Sequence, residues 1–343
     1  MIAEWIGGRL GGQGPLPPFA AFLLAGACIY LVASRLARHA DAIADATGIG
    51  RLWIGSLLLA ASTSLPELVT DVNAALLDAL DIGVGDLFGS TLTNMLLLAV
   101  LDLSYRRRRL LQEVSPQLAS IGLLAVVLTA VAGSAIASGG WGSVGHVGVE
   151  TIAILALYLV GMHAIYQDSP PTAPPQQLEL GDTARTVLRR GAIGFALALA
   201  GLLILTPLLV VSAHVLARES GLGDTFVGTL LVGATTSFPE LAATVAALRI
   251  GALDLAVGNL LGSNAFNMCV LLAMDLAYTH GPVLRHVSPT HLITVQFAVL
   301  SIGLGMIGIL ARGHRRLAPF RIVALLIVGS YALAAWLLGT ADR

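Results

Sequence analysis

Apolar runs of about twenty residues, the length a helix needs to cross a bilayer, recur along almost the whole of this sequence. They lie near 17–37, 50–77, 84–104, 114–137, 146–166, 190–217, 223–248, 254–278, 289–311 and 320–339. Ten such runs leave too little polar chain to clothe a water-facing surface. Charged residues make up 11 %, against about 25 % in soluble domains, and the mean hydropathy is +0.85. Closed β-barrels also span membranes, but they alternate apolar and polar residues. Segments such as 123–137 are instead apolar on every side. An all-α polytopic membrane protein is therefore expected. No basic stretch, short apolar core and cleavage site open the sequence, so the first run is expected to act as its own insertion signal.

The 20 acidic residues nearly balance the 19 basic ones, all of them Arg, so no net field points to nucleic acid or an acidic substrate. Cys28 and Cys269 lie inside apolar runs and imply neither a disulfide framework nor a metal cluster. Arginine position tests the span count, because cytoplasmic loops collect positive charge. Loops after odd-numbered runs hold fifteen of the 19: Arg35, Arg38, Arg51, Arg106 to Arg109, Arg185, Arg189, Arg190, Arg249, Arg312, Arg315, Arg316 and Arg321. Arg9, Arg218, Arg285 and Arg343 fall on the other side. Ten spans with both termini outside the cytoplasm satisfy this bias, and the 106–109 run reads as a topology anchor.

The chain also contains an internal repeat. Residues 56–105 align without a gap on 229–278, an offset of 173, with about half the positions identical. The same offset carries Ser115-Pro116 onto Ser288-Pro289. Five spans per half is an odd number, so the second half enters the membrane from the opposite face. The expected organisation is a first five-helix repeat over 1–167, a polar Pro-rich cytoplasmic linker over 168–188 and a second, inverted five-helix repeat over 189–343. Inverted repeats place a substrate site at mid-membrane between the halves and alternate between two near-equivalent arrangements.

Each repeat carries a carboxylate inside an apolar span: Glu67 in TSLPEL (63–68) and Glu240 in TSFPEL (236–241). A charge at a helix centre costs about 2.5–3.5 kcal/mol on insertion scales, which makes such residues functional candidates. Pro66 and Pro239 lack an amide hydrogen, which frees the carbonyls of Ser62 and Thr235. Thr63, Ser64, Thr236 and Ser237 add hydroxyls just before each acid. The following span of each half bears a polar stripe spaced by four on one helix face: Asp86, Ser90 and Asn94, then Asn259, Ser263 and Asn267. Gly85, Gly89, Gly258 and Gly262 suit close helix packing. Carboxylate, hydroxyl, amide and carbonyl oxygens are the donors Ca²⁺ prefers, with Na⁺ a competitor of similar size, and no soft cluster favours zinc or copper.

The segments TSLPEL and GDLFGSTLTN, with TSFPEL and GNLLGSNAFN, resemble the two α-repeats of the sodium/calcium exchangers of the calcium/cation antiporter superfamily, in their prokaryotic type. That resemblance implies countertransport of Ca²⁺ against Na⁺, or against H⁺ in some branches, across a bacterial or archaeal inner membrane. The ions it implies are cargo, not resident cofactors. The ligand positions it carries over are Thr63, Ser64, Glu67, Ser90, Asn94, Thr236, Ser237, Glu240, Ser263 and Asn267. It also implies that the first helix of each half slides across the other eight. Lipid is the expected surrounding, no nucleic acid is a partner, and the expected state is a monomer or weak homo-oligomer.

This sequence departs from the family pattern in its acids. Asn267 stands where some members have Asp, Asp86 where Asn is usual, and Thr91 within a segment that usually reads Gly-Ser-Asn. Asp71 lies one turn beyond Glu67, while its repeat partner is Thr244. Two carboxylates balance one Ca²⁺, two Na⁺ or two protons, so a third Na⁺ would need a further acid, for which Asp71 and Asp86 are the accessory candidates. Asp102 and Asp275 read as helix-end anchors, Asp81 and Asp254 as solvated acids in short connections, and no histidine receives a role. Exchange of another divalent cation, a cation channel and an intramembrane hydrolase are the alternatives. A hydrolase would need a base beside Ser64 or Ser237, and the sequence offers no His or Lys at a matching position. A channel would conduct without an opposed counter-ion.

Overall fold

The computed structural model describes residues 16–47, 49–105, 110–167, 182–219, 233–311 and 321–341. Arg9, the 106–109 arginines, most of the linker, the start of the seventh apolar run, Arg312, Arg315, Arg316 and Arg343 lie outside them. Fourteen helical segments run in chain order among the described residues. In the first half they are α1 (Leu16–Thr47), α2 (Arg51–Thr63), α3 (Leu65–Leu76), α4 (Leu80–Ser104), the short α5 (Leu110–Glu113), α6 (Gln117–Ser138) and α7 (Val149–Gln167). The second half holds α8 (Asp182–Glu219), α9 (Gly233–Thr236), α10 (Phe238–Arg249), α11 (Leu253–Ala277), the short α12 (Val283–His286), α13 (His291–Leu310) and α14 (Arg321–Ala341). A two-stranded antiparallel hairpin, β1 (Ser143–Val144) and β2 (Val147–Gly148), joins α6 to α7.

Eight of these helices are long and apolar enough to cross a bilayer, and the bent pair α2 and α3, which meet at 41°, supplies a ninth span. The expected count was ten. The difference falls on the 223–248 run, of which only α9 and α10 are among the described residues. The offset of 173 recurs in the architecture, because the bounds of α3, α4 and α5 shifted by that amount are those of α10, α11 and α12.

The break inside the second span has a local cause that differs in part from the expectation. Ser64 leaves helical geometry at φ −88°, ψ 3°, and Pro66 then occupies the second position of α3, where a missing N–H costs nothing. The proline thus starts a helix and does not kink one. Upstream, α2 widens into a six-residue π-helix over Ile54–Leu59, which the sequence pattern did not announce. Ser237 repeats the break at φ −74°, ψ 4°, with Pro239 again second in its helix.

Glycine fixes how close the π-segment comes to the second half. A Cβ on Gly262 would lie 2.2 Å from the Ser56 carbonyl oxygen, and one on Gly55 would lie 2.7 Å from the Leu255 carbonyl. Backbone therefore touches backbone between α2 and α11, the close approach small residues permit in membrane proteins. The polar stripes lie on the two most enclosed spans, with 83 % of the apolar window of α11 and 72 % of that of α4 buried, against 22 % for α1 and α14. Two large apolar clusters and a small third one, Leu92 with Ala298 and Ala334, fill the interior among the described residues. One joins α4, α6, α7, α11, α13 and α14, with residues such as Phe88, Met95, Leu128 and Leu271. The other lines α1 with small residues, including Ala33, Ala37 and Ala40, against Phe195 and Leu202 of α8 and Ala243 and Ala247 of α10.

Candidate functional site

All ten ligand positions carried over by resemblance are buried, none more than 1 % exposed. The breaks after α2 and after α9 turn Thr63, Ser64 and Thr236 toward the opposite repeat, whereas Glu67, Asn94, Ser237 and Asn267 share no hydrogen bond with another of these ten positions among the described residues. Ser64 Oγ donates to Glu240 Oε1 at 3.0 Å, and Ser263 Oγ lies 3.5 Å from the same oxygen. Thr236 Oγ1 donates to Asp86 Oδ1 at 2.9 Å, with Ser90 Oγ 3.5 Å from that oxygen. Thr63 Oγ1 donates to Asn259 Oδ1 at 3.2 Å. The Thr63–Asn259 and Thr236–Asp86 bonds are related by the repeat offset, so the halves grip each other reciprocally, as the two faces of an isologous contact do.

Buried polar atoms normally have partners. Here Glu67 Oε1 and Oε2, Glu240 Oε2, Asp86 Oδ2, Asn94 Oδ1, Ser237 Oγ and both amide atoms of Asn267 have none. Most of these are oxygen lone pairs contributed by one set of neighbouring helices. Such an arrangement is unfavourable on its own and is what a dehydrated hard cation would satisfy. The ion pairs found among the described residues, Arg51 with Asp41 and Asp45 and His291 with Asp81, involve none of these acids. Among the described residues no three His, Cys, Asp or Glu side chains converge as a metal cage. The donor set is thus a few acids with neutral oxygens, suited to an ion that must leave again.

Several residues have roles the sequence did not assign. Asn259 Nδ2 donates to Thr244 Oγ1 at 3.1 Å and to the Glu240 carbonyl at 3.3 Å, and so orients the second acid's helix. Asn94 Nδ2 donates to Asn264 Oδ1 at 2.9 Å, which aims its own Oδ1 away from that bond. Asn264 is the repeat partner of Thr91, and that mismatch was the signal for it. Asp102 and Asp275 do anchor helix ends: Asp102 accepts the Leu111 N–H, and Asp275 accepts the N–H groups of Val283 and Gly148. Asp81 and Asp254 are more than solvated acids, since each accepts a backbone N–H from the opposite repeat, Asp81 from Ser288 and Asp254 from Ser115.

The sequence profile of the family described as "Sodium/calcium exchanger protein" matches residues 17–166 and 190–339. The chain is 31 % identical to a putative antiporter, CaxA, of Alkalimonas amylolytica, over 76 % of this chain and 81 % of that one. It is 29 % identical to the inner membrane protein YrbG of Escherichia coli K12, over 78 % and 83 % of the two chains. Among solved structures it is similar to the sodium-calcium exchanger NCX_Mj soaked with 10 mM Na⁺ and no Ca²⁺, with a TM-score of 0.70 at 21 % identity, covering 92 % of this chain and 97 % of the other.

Proposed function

The chain belongs to the sodium/calcium exchanger protein family, and from that premise we propose how its geometry performs cation antiport. It is a multi-pass membrane transporter and not an enzyme. In our reading Ca²⁺ crosses in exchange for Na⁺ by alternating access, at a site between two inverted five-helix repeats, 1–167 and 189–343, joined by the 168–188 linker. Both termini lie on the non-cytoplasmic side. Glu67 and Glu240 supply the charge; Thr63, Ser64, Ser90, Asn94, Thr236, Ser237, Ser263 and Asn267 supply neutral oxygens. The observation that carries this is the pair of buried acids on repeat-related breaks, three of whose four carboxylate oxygens have no donor.

Charge balance explains why the exchange runs at one site. Two carboxylates neutralise one Ca²⁺ or two Na⁺, so either load crosses the membrane interior without the large cost of an unpaired buried charge. The empty site keeps two repelling charges apart from their counter-ions, which disfavours movement without cargo and makes the cycle an exchange rather than a leak. Access alternates when α1 and α8, which share an apolar cluster largely separate from the one joining α4, α6, α11 and α13, shift against the rest.

The test is radiolabelled Ca²⁺ uptake into proteoliposomes under an opposed Na⁺ gradient or an opposed pH gradient, for wild type, Glu67→Gln and Glu240→Gln. Saturable uptake driven by Na⁺ and lost in both variants is the expected result. Uptake driven by the pH gradient alone would make H⁺ the counter-ion, and uptake indifferent to both substitutions would remove the acids from the site.

A further inference from the structure

The two repeats differ at the seam where α1 meets the body of the molecule. Ala33, Ala37 and Ala40 of α1 share an apolar cluster with Ala243, Ala246 and Ala247 of α10. The repeat counterparts of α1 and α10 are α8 and α3, because the two stretches matched by the family profile, 17–166 and 190–339, are again 173 residues apart. Among the described residues α3 contributes none to that cluster. Thus α1 is closed against α10, while α8 is not packed in the same way against α3. An alanine surface does not fix a position along a helix, because apolar contact has no direction. A hydrogen bond does. Among the described residues one crosses the seam: Arg249 Nη1, at the end of α10, donates to the Tyr30 hydroxyl of α1. The Arg249 Cζ also lies 5.5 Å from the centre of the Tyr30 ring, a cation over an aromatic face. The counterpart positions hold Leu203 on α8 and Leu76 on α3, both exposed, and two leucines can form neither contact.

We propose that Arg249 and Tyr30 are positioning residues, which latch α1 in the arrangement seen here and so set the balance between the two access states. This deepens the exchange reading and rests on it for the movement of α1. In an inverted-repeat transporter the second state is reached when the halves exchange arrangements. There α8 lies on α3 as α1 lies on α10 here, and α1 stands off from α10. The first state keeps the Arg249–Tyr30 bond; the second brings Leu203 and Leu76 together and has no bond to match it. A displacement of one helical turn, about 5.4 Å, exceeds the reach of a hydrogen bond. Two pseudo-symmetric arrangements would otherwise lie close in energy, so a single bond present in only one of them decides which is more populated. One hydrogen bond is usually worth roughly two- to tenfold in such a ratio. The latched state is the one shut on the Arg249 face, which is cytoplasmic in the topology proposed above.

The test compares wild type with Tyr30→Leu, which installs the residue of the other repeat, with Arg249→Gln, and with the two combined. Na⁺-driven Ca²⁺ transport is measured in right-side-out and everted membrane vesicles, with Ca²⁺ titrated from either face. Apparent affinity at a face scales with the fraction of protein open to it. Releasing the latch is therefore expected to lower the half-saturating Ca²⁺ concentration on the Arg249 face and to raise it on the other, changing their ratio roughly two- to tenfold. The combined variant should change it no further than either single one. Values that stay put, or that move the same way on both faces as general damage would make them, would overturn the proposal. So would an effect of Arg249→Gln that Tyr30→Leu does not share. A second readout needs no transport. With Cys28 and Cys269 replaced by Ser, a thiol introduced by Ala247→Cys lies fully buried in the cluster that α1 covers. Maleimide should label it several-fold faster in the Tyr30 and Arg249 variants, and equal rates would count against the latch. Failure of the exchange reading looks different: wild type would then show no Na⁺-driven uptake from either face, while the labelling rates would still report on Arg249 and Tyr30.

Discussion

Asp81 Oδ1 accepts the backbone N–H of Ser288 at 2.7 Å, and its repeat partner Asp254 does the same for Ser115 at 2.6 Å. Each repeat thereby ties down the Ser-Pro turn that launches a helix of the other, α13 or α6. Because the first turn of a helix has no internal acceptors for its N–H groups, the turn before it is where an outside carboxylate has the most to hold.

The two anchors differ in exposure, and so should their substitutions. The Asp81 side chain is 58 % exposed and also meets His291 at 3.0 Å, so Asp81→Asn is expected to cost under about 1 kcal/mol. Asp254 is more enclosed, and Asp254→Asn should cost about 1.5 kcal/mol or more, the usual contribution of a hydrogen bond to a charged group. Thermal unfolding in detergent measures both. Equal losses would mean that exposure does not set the strength of these anchors.

These anchors also mark what could be read before any coordinates. The repeat offset carries the bounds of α3, α4 and α5 onto α10, α11 and α12, and Glu67 and Glu240 can be found because an acid inside an apolar span is costly. What spacing cannot supply is the partner across the repeat. Asp81 looks like a solvated acid until Ser288 arrives beside it from the turn before α13. The π-helix over Ile54–Leu59 is equally silent in sequence. The widening coincides with the close contact that Gly55 and Ser56 make with α11.

That contact yields a sharp expectation. A methyl group on Gly262 would sit 2.2 Å from the Ser56 carbonyl oxygen, a backbone atom that cannot rotate away. Gly262→Ala is expected to destabilise by about 3 kcal/mol or more, at the upper end for overpacking, and to disturb the Ser263 and Asn259 positions along with it. Gly303→Ala meets nothing within 4 Å and should be neutral or stabilising by up to about 1 kcal/mol. Folded yield and thermal midpoint, measured side by side, separate the two.

Asp275 provides a structural control outside the proposed ion site. It is fully buried; Oδ1 accepts the Val283 N–H at 2.6 Å, and Oδ2 accepts Gly148 N–H at 2.8 Å and Thr151 Oγ1 at 2.6 Å. Asn in its place would turn an amide donor toward one of these donors. Asp275→Asn is expected to cost about 3 kcal/mol or more, from two or three charge-assisted bonds, while the protein that still folds keeps its Ca²⁺ affinity. Reduced affinity in that folded fraction would place Asp275 in the transport path.

The two central acids should show opposite effects on binding and on stability. At the proposed site, removing one carboxylate would leave a bound Ca²⁺ with an uncompensated buried charge, a loss of about 3–5 kcal/mol, or roughly a hundred- to several-thousand-fold in affinity. Without ions the same change removes a buried group that is poorly satisfied. Both oxygens of Glu67 have no donor, whereas Glu240 keeps one oxygen bonded to Ser64. Glu67→Gln is therefore expected to raise the ion-free thermal midpoint more than Glu240→Gln, while both abolish the Ca²⁺-induced rise. If Glu67→Gln instead lowered the ion-free midpoint, its carboxylate would be holding the fold together, and its assignment to the ion would have to be withdrawn.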